Sequence, residues 1–134
     1  MQIKRVNPES LGPPIAAFSN GVVAGNFIFV AGQAALGPDW EVLFPDDIIR
    51  QTEFVIDRIA TVLNEAGATL EDVVATTVYV SDYAYYDEYN RVYGERFGEA
   101  RPARATIRAD LVRPGLLVEI QAIAVVRNRL SAQS

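Results

Sequence analysis

The chain has 134 residues, half of them hydrophobic, a size and balance that fit one globular domain with a single core. Seventeen acidic against twelve basic side chains leave a net charge of -5, which repels a phosphate backbone because the basic groups do not cluster; the richest stretch is only Arg101, Arg104, Arg108 and Arg113. With no cysteine and no histidine, disulfides and thiolate chemistry are excluded, and the commonest general base and metal ligand are missing.

Apolar stretches such as Val22 to Ala35 are broken by Gly25, Asn26 and Gln33, so no membrane span is expected. The start, Met-Gln-Ile-Lys-Arg-Val, runs into polar residues and prolines, unlike a secretory signal. These features predict a soluble, cytoplasmic protein, with one domain over residues 1–130 and a flexible tail over 131–134.

The first elements are Gly21 to Ala24 and Phe27 to Ala31, β-rich segments separated by Gly25-Asn26 and read as a hairpin. From Pro45 to Ala66 apolar residues recur at spacings of three and four: Ile48, Ile49, Thr52, Val55, Ile56, Ile59, Val62, Leu63. That spacing predicts an amphipathic helix, with Pro45, Asp46 and Asp47 in its first turn and Gly67 at its C-terminal cap. The β-branched run Val73 to Val80 predicts a strand, closed by Ser81-Asp82 as caps for a second helix over Ala84 to Phe97. Its stripe of Tyr86, Tyr89, Asn90, Tyr93 and Phe97 is expected to face the sheet. Strands over Ala103 to Ala109 and Leu116 to Val126 follow, joined by a turn at Arg113-Pro114-Gly115.

The predicted order is β-β-α-β-α-β-β, an α+β class with both helices on one face of a mixed sheet. On the last strand Leu116, Val118, Ile120, Ala122, Ala124 and Val126 form an apolar face, while Leu117, Glu119, Gln121 and Ile123 form a mixed one. A face neither clearly buried nor clearly wet suits a subunit interface, so a homo-oligomer is expected.

Candidate chemistry lies where polar groups interrupt apolar patterns. Glu119 sits among Leu117, Val118, Ile120 and Ile123; such a carboxylate is paired, protonated or lining a cavity, unless it points to water from an edge strand. Arg104 opens a strand after Pro102-Ala103, with Thr106 on the same face; its planar fork suits a substrate carboxylate or, structurally, Glu119 itself. Gly32-Gln33 places backbone amides and a side-chain amide at a strand end, where they can orient a small polar ligand. The tyrosine-rich stretch from Tyr83 to Tyr93 is read mainly as core packing, with Asn90 on its buried edge in need of a partner.

Together these pieces resemble the YjgF/RidA family. The similar segments are Ala17-Phe18-Ser19-Asn20-Gly21 with Phe29-Val30-Ala31-Gly32-Gln33, then Leu63-Asn64-Glu65-Ala66-Gly67-Ala68 with Asp72-Val73-Val74, then Asn90 with Tyr93. The most specific are Arg101-Pro102-Ala103-Arg104 and the run from Leu117-Val118-Glu119-Ile120 to Val125. The resemblance implies a chorismate-mutase-like fold, a trimer with sites at subunit interfaces, and hydrolysis of 2-imino or enamino acids to 2-keto acid and ammonia. It implies that Arg104 grips the substrate carboxylate and Glu119 positions and activates water, with Phe18, Gly32, Gln33, Asn90 and Thr106 as further binding residues and neither metal nor cofactor. Three positions depart from the family pattern: Thr106 stands at its site cysteine, Phe18 at its frequent site tyrosine, and Ala31 where serine often precedes Gly-Gln.

Competing readings are a non-catalytic trimer that binds a small carboxylate, an endoribonuclease, and a structural Arg104–Glu119 pair. The acidic charge and the lack of histidine weigh against the second.

Overall fold

Six strands form one sheet in the order β1-β2-β3-β6-β4-β5, and two helices cover one of its faces; this computed structural model describes residues 2–127. The tail expected from Ser131 lies outside the described residues. The strands are β1 (Ile3–Val6), β2 (Gly21–Ala24), β3 (Phe27–Ala34), β4 (Val73–Val80), β5 (Ala103–Arg108) and β6 (Val118–Val125). All pairings are antiparallel except β4 with β5. That parallel pair needs a crossover, which α2 (Tyr86–Phe97) supplies.

β1 is absent from the sequence reading. Only Val6 of its four residues is buried, so the segment carries no alternation, and it becomes a strand by pairing with β2. The hairpin turn is as expected: Gly25 takes φ 61° while Asn26 stays in the ordinary region, as in a type II′ turn.

α1 spans Ile48–Glu65, so Pro45 and Asp46 precede it. Asp47 is its N-cap, accepting from the Arg50 N–H at 3.0 Å. Gly67 ends it at φ 86°, with the Gly67 N–H donating to the Asn64 carbonyl and the Ala68 N–H to the Leu63 carbonyl, a Schellman closure. Asp82 caps a short 3-10 turn over Tyr83–Tyr85, which delays the start of α2 to Tyr86. α2 buries Tyr89, Val92, Tyr93 and Phe97; Asn90, expected on the buried edge, is exposed.

The core lies between helices and sheet. Val55, Ile56, Ile59, Val62 and Leu63 from α1 meet Ile28, Val30, Val78, Val118, Ile120 and Ala122 from the sheet, all essentially dry. Leu117, assigned to the mixed face, is buried ahead of β6 because its N–H donates to the Gln51 side chain at 2.9 Å. Among the described residues nothing covers the opposite face. Phe27, Phe29 and Ile107 remain 48%, 45% and 44% exposed there, beside the partly buried Ile123 and Val125. An apolar sheet face left open in one chain is the mark of an interaction surface.

Candidate active site

A bulge in β3 builds the site. Val30 pairs with Ala122 and Gln33 with Ile120, so Ala31 and Gly32 oppose the single residue Gln121. The extra residue reverses the alternation: Val30 and Gln33, three apart, both point to the helix side. Ala34 then pairs with Glu119 on the open side, and Gly32 lies against that carboxylate. A Cβ on Gly32 would sit 3.1 Å from Glu119 Cδ and 3.3 Å from Cγ, and closer still to Oε2. Only glycine admits the carboxylate so near the backbone.

Glu119 has no hydrogen-bond or ion-pair partner among the described residues. It lines a cleft of about 840 Å³ with Gly32, Phe18, Trp40, Phe54 and Arg58. Burial without a partner raises its pKa above the usual glutamate value. The far wall is a tight loop in which Trp40 takes φ 65° and its indole N–H donates to the Ile15 carbonyl at 3.3 Å. Phe18 stands 44% exposed at the rim.

Gln33 is almost fully buried behind this wall. Its Nε2 donates to the Ala31 carbonyl at 3.1 Å and to Asn20 Oδ1 at 3.5 Å, and its Oε1 accepts from Arg58 Nε at 2.9 Å. Gln33 therefore shapes the cleft through Arg58. Arg58 is a cleft-lining residue that the sequence does not flag, because it follows the apolar stripe of α1 and looks like an ordinary flank of it.

Arg104 is elsewhere. It pairs with Thr76 across β4–β5, whereas Glu119 pairs with Tyr79 across β4–β6. Thr76 and Tyr79 are three apart on one regular strand segment, so the two side chains occupy opposite faces. The structural Arg104–Glu119 pair does not form in this chain.

On the helix face, Arg104 donates from Nη1 to Asn90 Oδ1 at 2.8 Å and from Nη2 to the Tyr86 hydroxyl at 2.9 Å. Its guanidinium lies over the Tyr93, Tyr89 and Tyr86 rings at 4.8, 5.4 and 5.8 Å. The tyrosine stripe is thus both core and a platform for this cation. Among the described residues two of its five guanidinium protons are engaged in hydrogen bonds.

Thr106 shares the face, its hydroxyl 2.6 Å from that of Tyr89; Thr76 and Tyr93 make a matching 2.6 Å contact. Burial raises both tyrosine pKa values, against the opposing pull of these hydrogen bonds and of Arg104. Among the described residues no group of three or more acidic side chains could hold a metal, and no helix is long and apolar enough to cross a membrane.

These features define a small α+β protein with an open cleft, a carboxylate without a partner among the described residues on one sheet face and a guanidinium fork on the other. Residues 9–126 match the family model described as Endoribonuclease L-PSP, and the chain belongs to that family, the YjgF/RidA family its motifs resemble. It is 42% identical over 116 residues to a RutC family protein of Pyrococcus abyssi, covering 87% of this chain and 91% of that one. It is 36% identical over 119 residues to the 3-aminoacrylate deaminase RutC of Acinetobacter baylyi, covering 89% and 94%. The YjgF gene product of E. coli superposes with a TM-score of 0.81 at 31% identity, covering 92% and 99%. The two-helix, mixed-sheet architecture is therefore that of the YjgF family.

Proposed function

We propose that the chain is a cofactor-independent hydrolytic deaminase of 2-imino and enamino acids, working as a homotrimer with sites at subunit interfaces. The observation that carries this reading is the Glu119 carboxylate, unpartnered in an apolar cleft against Gly32. The naming of the A. baylyi relative as a 3-aminoacrylate deaminase supports it.

Arg104 of a second copy, carried to the cleft on its edge strand β5, holds the substrate carboxylate with its remaining donors. Asn90 and the tyrosines fix its orientation. Glu119 accepts a proton from water as the oxygen adds to the C=N carbon, and the C=N π electrons move to nitrogen. The nitrogen takes that proton back from Glu119 to give the carbinolamine; Glu119 then takes the hydroxyl proton and passes it to the nitrogen as well, so the C–N bond breaks with neutral ammonia leaving while the oxygen forms C=O. An enamine first takes a proton at carbon and gives one up from nitrogen, becoming the imine. Positioning of the acid group supplies much of the rate, since the imine is already electrophilic. Phe18, in place of the family's tyrosine, leaves a more apolar rim, while Thr106, in place of its cysteine, lies on the Arg104 face with its hydroxyl engaged by Tyr89.

The family description names an endoribonuclease; the net charge of -5 and the lack of histidine favour a small-molecule substrate for this chain.

The test is complementation. With imines generated by an amino-acid oxidase and held below KM, Glu119→Ala is inactive and Arg104→Ala is about 10- to 100-fold slower than wild type. Co-assembled in equal amounts, they restore about a quarter of wild-type activity, the fraction of interfaces pairing an intact Glu119 with an intact Arg104. No recovery in verified mixed trimers refutes the shared site.

A further inference from the structure

The cleft holds a second unsatisfied ion. Arg58 is half-buried on α1, with Nε on Gln33 Oε1 at 2.9 Å and its Cζ 5.9 Å from the Phe54 ring centre. Among the described residues its terminal nitrogens have no hydrogen-bond or ion-pair partner, and Glu119, in the same cleft, is not within ion-pair distance. An arginine kept in an apolar recess without an anion is costly unless something supplies the anion.

The fork is also held in place. Gln33 spends its amide protons on Ala31 and Asn20, so only its oxygen faces Arg58, and that oxygen fixes Nε. The terminal nitrogens are left as a planar pair of donors in a recess walled by Phe18, Trp40 and Phe54. Burial lowers the Arg58 pKa from its usual value, yet a guanidinium remains charged at neutral pH. Such a group matches a carboxylate bidentately.

We propose that Arg58 recognises a second carboxylate, on the substrate side chain, so that the preferred substrates are dicarboxylic imino or enamino acids. This deepens the deaminase reading and rests on it: Arg104 of a second copy takes the acid group next to the reacting carbon, Glu119 handles the water, and Arg58 reads the far end. A cleft of about 840 Å³ has ample room for a four- or five-carbon diacid.

The imines of aspartate and glutamate are generated by D-aspartate oxidase, and those of alanine and leucine by D-amino-acid oxidase, each in competition with a semicarbazide trap. Wild type is expected to favour the diacids. Arg58→Met lowers kcat/KM for the diacids by about 10- to 100-fold, mostly through KM, and changes the neutral imines by less than about 2-fold. Arg58→Lys, which keeps the charge, gives an intermediate value.

Equal loss on neutral and acidic imines overturns the proposal, since Arg58 would then hold the carboxylate common to all of them; so does unchanged turnover of the diacids. Binding separates this idea from the deaminase reading. If wild type turns over no imine, yet glutarate raises its melting temperature more than butyrate does and Arg58→Met abolishes that difference, the diacid site stands and the deaminase reading falls. If glutarate and butyrate act alike on wild type, the diacid site falls.

Discussion

Replacing Gly32 by alanine puts a methyl group against Glu119. The added carbon would stand 3.1 Å from Cδ and 3.3 Å from Cγ, inside the normal carbon–carbon separation of about 3.5–4.0 Å, and the nearer carboxylate oxygen must retreat by about 1 Å. Gly32 does not have positive φ, so alanine strains no backbone. The obstructed atoms belong to the free end of a side chain with no partner, which yields by a rotamer adjustment costing about 0.5–1.5 kcal/mol. The melting temperature should therefore fall by no more than about 5 °C for a chain of this length. Displacing the proposed water-activating group by about 1 Å is expected to lower kcat/KM by about 100-fold. Calorimetry beside an oxidase-coupled imine assay reads both numbers. Wild-type turnover in Gly32→Ala would refute the placement of chemistry at Glu119, and a loss of fold would refute the view that the carboxylate moves freely.

Glu119→Gln should lower kcat/KM by about 10²- to 10⁴-fold, as loss of a general base does. Burial raises the Glu119 pKa in the folded state above its unfolded value, so its contribution to stability is greatest below the unfolded pKa and is lost as pH rises through the folded one. The glutamine variant should accordingly melt higher than wild type at neutral pH, with the gap closing in acid, and wild-type activity should rise with pH across the elevated pKa; melting curves and rate profiles against pH check both. Arg104→Ala removes charged hydrogen bonds to the substrate and should raise KM by about 10- to 100-fold, measured on any imine the wild type accepts. Gln51→Leu tests the scaffold. Gln51, fully buried, donates to the Phe44 and Gly115 carbonyls at 3.1 and 3.0 Å and accepts from the Leu117 N–H, so its loss should cost about 3 kcal/mol, or about 10 °C at matched concentration.

Much of this protein is written in local patterns. The 3.6-residue spacing of Val55, Ile59 and Val62, the β-branched run of β4 and the Gly25 turn specify their elements through contacts a few residues long, so periodicity and capping suffice to read them. Glu119 and Arg104 stood out because each interrupts or opens an apolar strand. β1 escaped notice because its exposed residues carry no period, and Arg58 because nothing in a helix sequence tells a flanking cation from a cleft wall. Gln51 offered a signal, a polar side chain beside Thr52 on the core face of α1, but two of its three partners lie 64 and 66 residues away.

The site itself is a product of long-range register. Alternation along β3 places Gln33 on the face opposite Val30, and the bulge against Gln121 reverses it, which brings Gly32 to Glu119 and Gln33 to Arg58. The same register across β6, β4 and β5 puts Arg104 and Glu119 on opposite faces, which rules out the salt bridge between them within one chain. Residue types and local periods are properties of neighbours along the chain, and composition and spacing carry them in full. Which strand faces which, and where one residue bulges out of step, depends on the summed packing of segments up to a hundred residues apart, and no single window of the sequence contains it.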